Sequence, residues 1–193
     1  MRLFHVGRID KRRILIFRVA FCNSLDEKDI EKIFRKLDSL EKKFGLAIQL
    51  FNSENIVSWR HILYACNIAS ANWRKGFKIS RKLSLEILLY TSCQHQIDVG
   101  VKRVGLRPGD RYSWIVIVGE NIDDNVIGEI LDELDANITF MRFDIDPTHI
   151  MRVYGVYEEE LKLSLKSSEN VEEALLNCII PRMNMVVLRE KIV

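Results

Sequence analysis

Residues 83–91, LSLEILLYT, have no polar side. Leu83, Leu85, Ile87, Leu88, Leu89 and Tyr90 spread around the whole helical circumference. A helix that is apolar all round is either wholly buried or covered on its outer side by another protein. The fold must therefore enclose this segment or present it to a partner. It is the middle one of three consecutive helices read between Ser58 and Leu106. The first runs from about Trp59 to Lys75, with Ser58 as N-cap and Gly76 as its stop. Ile62, Cys66, Ala69 and Trp73 form one stripe of it. Arg60, Asn67 and Arg74, spaced seven apart, form another roughly opposite. The third covers about 93–104, capped by Ser92 and stopped by Gly105, with Ile97, Val101 and Val104 inward and Lys102 and Arg103 outward.

The flanks read as strands and helices in alternation. Residues 2–9 and 14–21 are two β-branched and aromatic runs joined by the polar DKRR. A helix over 25–44 follows, opened by the capping box Ser24–Glu27 and ended by Gly45. LAIQLF (46–51) is a short strand, and YSWIVIV (112–118) is a strong one, placed centrally in the sheet. An amphipathic, acid-rich helix at 123–135 precedes an extended segment, NITFMRF, at 137–143. Asp146-Pro147 starts a further helix. Helical patches at 157–164 and 169–180 follow, Pro181 breaks the period, and MVVLRE (185–190) is read as a last strand. The fold class expected is α/β: one domain over residues 1–193, layered, with a mixed or antiparallel sheet flanked by helices. At 193 residues and 48% hydrophobic content the chain can bury a core of that size.

Several function classes find no support. No apolar run reaches the length of a membrane span, and the amino terminus lacks the pattern of a secretory signal. Cys22, Cys66, Cys93 and Cys178 show no paired spacing, which fits small core residues in a reducing, cytoplasmic setting. The histidines His5, His61, His95 and His149 lack metal-ligand spacing. There is no glycine-rich phosphate loop and no nucleophile elbow. No metal, cofactor or small-molecule substrate is expected. Cys93 near His95 is the one hint of a nucleophile, but a catalytic cysteine usually takes its base from a distant part of the chain.

Charge is more informative. The net charge is +2, but residues 59–111 carry ten Lys/Arg against three Asp/Glu, while residues 112–193 carry seven against sixteen. Between Glu54 and Glu86 there is no acid at all, only Arg60, Arg74, Lys75, Lys78, Arg81 and Lys82, interleaved with Trp59, Tyr64, Trp73 and Phe77. Cations neutralise phosphates and aromatic faces stack on unpaired bases, so this window is the candidate nucleic-acid site. The alternative is a solvated helix face beside a loop.

Residues 52–106 also resemble a known family, the small kinase-binding subunit of the KEOPS complex (the TPRKB family). The pattern is Ile56-x-x-x-x-His61-Ile62-Leu63-x-Ala65, Ala69-x-x-Asn72, Gly76, Leu85-Glu86-Ile87-Leu88-Leu89-Tyr90, Gln96-Ile97 and Gly105. It departs from that pattern at His95, where the family often has Arg, at Asp98, Val99 and Gly100, where it often has Ala, and towards the C-terminus around Pro181. The resemblance implies a non-catalytic subunit, here in an archaeal form. It would bind the kinase/ATPase subunit through an apolar surface and recruit tRNA by its single-stranded 3′ CCA end for threonylcarbamoyladenosine formation. RNA contacts are then expected at Arg60, His61, Arg74, Lys75, Lys78, Arg81 and Lys82, with His61 near a base. Kinase contacts are expected at Leu85, Leu88, Leu89, Ile97 and Val101. Two other readings remain open: a small enzyme using Cys93 or His61, and an interaction module with no RNA role.

Overall fold

The computed structural model describes residues 5–9, 11–141 and 144–187. Its elements are β1 (His5–Ile9), β2 (Arg12–Phe21), α1 (Glu27–Phe44), β3 (Ala47–Asn52), α2 (Trp59–Arg74), α3 (Leu83–Ser92), α4 (Ile97–Val104), β4 (Tyr112–Gly119), α5 (Asp124–Glu133), β5 (Ala136–Ile138), α6 (Pro147–Tyr154), α7 (Glu158–Leu165) and α8 (Val171–Asn184). The class is α/β, with an antiparallel sheet and helices. Contacts divide the chain into two compact units: Met1–Ser53 with Gly105–Arg142, and Glu54–Val104 with Phe143–Val193.

The first unit holds the sheet, in the order β1-β2-β4-β3, with β5 also paired to β2. Leu15 lies opposite Ile117, Phe17 opposite Ile115, and Leu50 also opposite Ile115. These residues share one face and form a core with Ile33, Leu37 and Leu40 of α1 and Ile127 and Ile130 of α5. Ile14, Ile16, Val116 and Val118 of the opposite face are buried as well. That is why 114–118 reads as an unbroken apolar run instead of an alternating one. β4 sits between β2 and β3, as its sequence led us to expect.

α1 begins two residues later than the Ser24–Glu27 box implies. Its N-cap is Asp26, whose carboxylate accepts from the Asp29 N–H at 2.8 Å, while Asp29 Oδ2 accepts from the Asp26 N–H at 3.2 Å. Leu25, just before the cap, and Ile30, in the helix, belong to the same core cluster, the arrangement of a hydrophobic staple. Leu25 N–H also donates to Asp110 O at 2.8 Å, which fixes the entry of the chain.

The second unit is helical. α3 is contacted by α2, α4 and α8, and this accounts for its lack of a polar side. Gly100 lets α4 lie close to it: a Cβ there would stand 3.0 Å from Ser92 Oγ and 3.1 Å from Leu88 Cδ2. Ser92 does not cap α4. It ends α3, donating from Oγ to Leu89 O at 3.0 Å, and Cys93 turns the chain through a left-handed conformation (φ 55°). Pro181 does not stop α8, which continues to Asn184. Pro181 and Asn177, whose carbonyl it leaves without an N–H donor, are both exposed, so solvent can satisfy that oxygen. Residues 186–187 are helical, so the strand expected at 185–190 does not form there, and 188–190 lie outside the described residues. Of the extended segment expected at 137–143, residues 137–138 are strand, within β5, 139–141 are not, and 142–143 likewise lie outside the described residues.

Candidate functional site

The basic window folds into α2 and the turn that leads to α3. Successive helical residues are offset by about 100°, so His61, Ile62, Ala65, Cys66, Ala69 and Ser70 gather on one side of α2, and all six are buried. Arg60, Tyr64, Asn67, Arg74 and Lys75 lie on the other side and are exposed.

α2 ends in a Schellman motif. Gly76 N–H donates to Trp73 O at 3.2 Å, and Phe77 N–H donates to Asn72 O at 3.0 Å. Gly76 takes φ 79°, a left-handed conformation that glycine adopts without strain. The chain then runs through Lys78, Arg81 and Lys82 into α3. The turn is held from beneath by Glu86, a fully buried carboxylate whose Oε1 accepts from Ile79 N–H at 2.6 Å and also from Ser80 N–H. Ser80 Oγ donates to Lys82 O at 2.7 Å. Lys78 Nζ stands 4.3 Å from the centroid of the Trp73 ring, a cation–π distance. Asn72 Nδ2, at the end of α2, donates to the buried Tyr90 hydroxyl at 2.8 Å.

These bonds place Arg74, Lys75, Lys78, Arg81 and Lys82 at one end of the α2–α3 hairpin. Lys82 is half-buried and the other four are exposed. Arg60 stands apart. It lies fourteen residues before Arg74, so about 21 Å along the helix axis, and its guanidinium is 5.6 Å from the Trp59 ring.

His61 requires a correction. It is fully buried. Its Nε2 is 3.1 Å from Thr91 O, its Nδ1 accepts from Val57 N–H at 3.4 Å, and the Tyr154 ring meets it edge-on at 5.2 Å. Burial lowers its pKa to about 4. A side chain so enclosed does not reach a nucleobase; it is a core histidine joining α2 to α3 and α6.

The apolar candidates divide in the same way. Leu88 and Leu89 are buried, so α3 is the wholly buried kind of apolar helix and offers neither residue to a partner. Leu85 is half-buried. On α4, Ile97 is 39% exposed instead of facing inward, and Val101, four residues on and therefore on the same face, is half-buried.

The enzyme reading loses both of its residues. Cys93 is buried and its thiol donates to Ile179 O at 3.9 Å, and His61 has no access to solvent. Cys66 and Cys178 are buried too, and burial pushes the Cys66 thiol pKa up. Cys22 differs from the core expectation. It is exposed and donates to Asp135 Oδ1 at 3.5 Å, and that carboxylate raises its pKa. Among the described residues, no three His, Cys, Asp or Glu side chains are grouped to hold a metal ion. Nor is any described helix long and apolar enough to cross a membrane.

Glu86 is the residue whose role the sequence left unread. Its signal was available: the first acid after a long basic window, set inside an otherwise apolar helix, where a charge needs a partner.

The family model described as kinase binding protein CGI-121 matches residues 21–186. No curated protein matches the chain.

Proposed function

We propose, from the premise that the chain belongs to the kinase-binding family CGI-121, that it is the non-catalytic subunit of a KEOPS-type assembly. In this reading it holds the kinase/ATPase subunit and recruits tRNA, by the single-stranded 3′ CCA end, for threonylcarbamoyladenosine formation in the cytoplasm. The family match supports the kinase half. The RNA half rests on one observation: Arg74, Lys75, Lys78, Arg81 and Lys82 are gathered on a turn that is itself fixed by Glu86.

The surface offered to the kinase is the α4 strip of Ile97 and Val101, with Leu85 near it in sequence. The surface offered to RNA is the basic turn, with Arg60 as an outlying contact. Binding to the turn is electrostatic and falls with salt.

Co-purification with the kinase subunit tests the first half. A gel shift with intact and CCA-trimmed tRNA tests the second. Charge reversal at Lys78 and Arg81 weakens the shift, and trimming removes most of it. Equal affinity for intact and trimmed tRNA would reject end recognition, and no shift at all would leave a kinase-binding module without an RNA role.

A further inference from the structure

The turn that carries the cations also carries one hydroxyl that solvent can reach. From residue 58 to residue 92 the serines and threonines are Ser58, Ser70, Ser80, Ser84, Thr91 and Ser92. Five of them are buried, and Ser80 alone is half-exposed. Lys78, Ile79, Arg81 and Lys82 flank it in sequence. Its Oγ stands at the head of α3, donating to Lys82 O at 2.7 Å and accepting from Lys82 N–H at 3.3 Å. Lys82 is the N-cap of that helix and supplies no side-chain cap. We infer that Ser80 is a phosphorylation site, modified by the kinase partner, and that its phosphate closes the basic turn to nucleic acid. This rests on both halves of the reading above and adds the regulation of that site.

The chemistry is a transfer from ATP, held by the kinase as its magnesium complex. Ser80 Oγ attacks the γ-phosphorus, and an O–P bond forms while the bond from that phosphorus to the β–γ bridging oxygen breaks. ADP leaves with the electron pair, and the hydroxyl proton passes to a carboxylate base of the kinase. The product carries about −1.5 to −2 charges near neutral pH and three strong acceptor oxygens. The bond to Lys82 O is lost with the hydroxyl proton, but the new oxygens arrive where Lys82 N–H already donates. An anion at the start of a helix is favoured by the helix dipole. Lys78, Arg81 and Lys82 are near enough in sequence to pair with it. Glu86 opposes it, but that carboxylate is already engaged by the main-chain N–H groups of Ile79 and Ser80. Cations that hold the new phosphate are withdrawn from RNA. Ser84 follows the same basic residues but is 3% exposed and lies within α3, so its hydroxyl cannot meet a nucleotide.

The test uses the full chain co-purified with its kinase partner and supplied with magnesium and ATP. Cleavage after glutamate releases residues 55–86 as one peptide, since no acid lies between Glu54 and Glu86. Fragmentation in the mass spectrometer then locates the phosphate. It is found on Ser80, and the same peptide from Ser80→Ala carries none. The phosphorylated chain, separated from the kinase, binds tRNA roughly five- to twenty-five-fold more weakly at about 0.1 M salt, the effect of one or two lost phosphate contacts. The slope of log affinity against log salt flattens by about 0.7–1.4. Phosphatase treatment reverses both changes. Ser80→Ala, shown to be folded by thermal melting, binds tRNA like the parent, and treatment with kinase and ATP leaves that binding unchanged. The inference is overturned if the complex places phosphate only on other residues, or if phosphorylated Ser80 leaves tRNA binding as it was. If no kinase co-purifies, the kinase half of the proposed function fails and the inference with it. If the unmodified chain binds no tRNA, the RNA half fails in the same way. If kinase and tRNA both bind and Ser80 stays unmodified, the proposed function stands and this inference alone falls.

Discussion

The buried imidazole of His61 gives the sharpest test of the packing described for α2. The Val57 N–H is a donor and the Thr91 carbonyl an acceptor, so their positions dictate the neutral tautomer with its proton on Nε2. Adding a second proton would set an N–H against the N–H of Val57 and place a charge in a fully buried site. The folded chain therefore resists protonation down to about pH 4, whereas the unfolded chain takes up the proton near pH 6.5. Between those values the unfolded state binds more protons, so stability rises with pH across that window. The contribution is fully present above about pH 6.5 and is lost as pH falls towards 4. Its whole extent is about 3 kcal/mol, of which about 2–3 kcal/mol is gone by about pH 4.5. Urea denaturation at neutral pH and at about pH 4.5, for the parent and for His61→Gln, isolates this term from the carboxylates that titrate in the same range. Gln retains a donor for Thr91, so the variant loses about 1–3 kcal/mol at neutral pH but is less sensitive to acid than the parent by about 2–3 kcal/mol. A parallel loss of stability in both chains, or a His61 ring titrating near pH 6.5 by nuclear magnetic resonance, would refute the reasoning.

Three further outcomes follow from the same structure. Leu88→Ala destabilises the chain by about 2–5 kcal/mol, as expected for a buried leucine, whereas Ile97→Asp changes stability by less than about 0.5 kcal/mol and abolishes co-purification with the kinase; thermal melting and a pull-down check both. Glu86→Ala leaves two backbone N–H groups of the basic turn without their acceptor. It costs about 2–3 kcal/mol and speeds tryptic cleavage at Lys78, Arg81 and Lys82, read by mass spectrometry of timed digests. Gly119→Ala drives a methyl group into Leu46 Cδ2 beside the end of β4, and the forced repacking lowers stability by about 1–3 kcal/mol in urea denaturation.

What the sequence revealed and what it hid follow from the range of the interactions involved. α2 was legible because its two faces differ in polarity within sixteen residues. β4 was legible because burial on both faces leaves an unbroken apolar run. The start of α1 was not, because SLDEKD contains two overlapping capping patterns. The burial of Leu25 with the α1 core selects the second. Leu88 and Leu89 were placed on a partner surface because α8, which helps enclose α3, begins about eighty residues later in the chain and nothing local announces it. His61 was misread for the same reason: a histidine beside Arg60 looks like part of a basic edge until Thr91 and Tyr154 are seen around its ring. The cations of the turn kept the position their spacing implied, since the Schellman cap and α3 follow within a few residues. Arg60 did not join them, because a straight helix keeps residues fourteen positions apart at opposite ends.

Under the proposed function, the Glu86 carboxylate acts on more than the stability of the turn. A flexible lysine-rich loop must give up backbone freedom when an anion settles on it, and that loss subtracts from affinity. Here the backbone at Ile79 and Ser80 is tethered before any ligand arrives, so the remaining entropic penalty falls mainly on side-chain rotamers. Preorganisation of this kind lengthens residence time more than it quickens encounter. A substitution at an enclosed position that touches no ligand would thus appear, in a binding experiment, as faster dissociation.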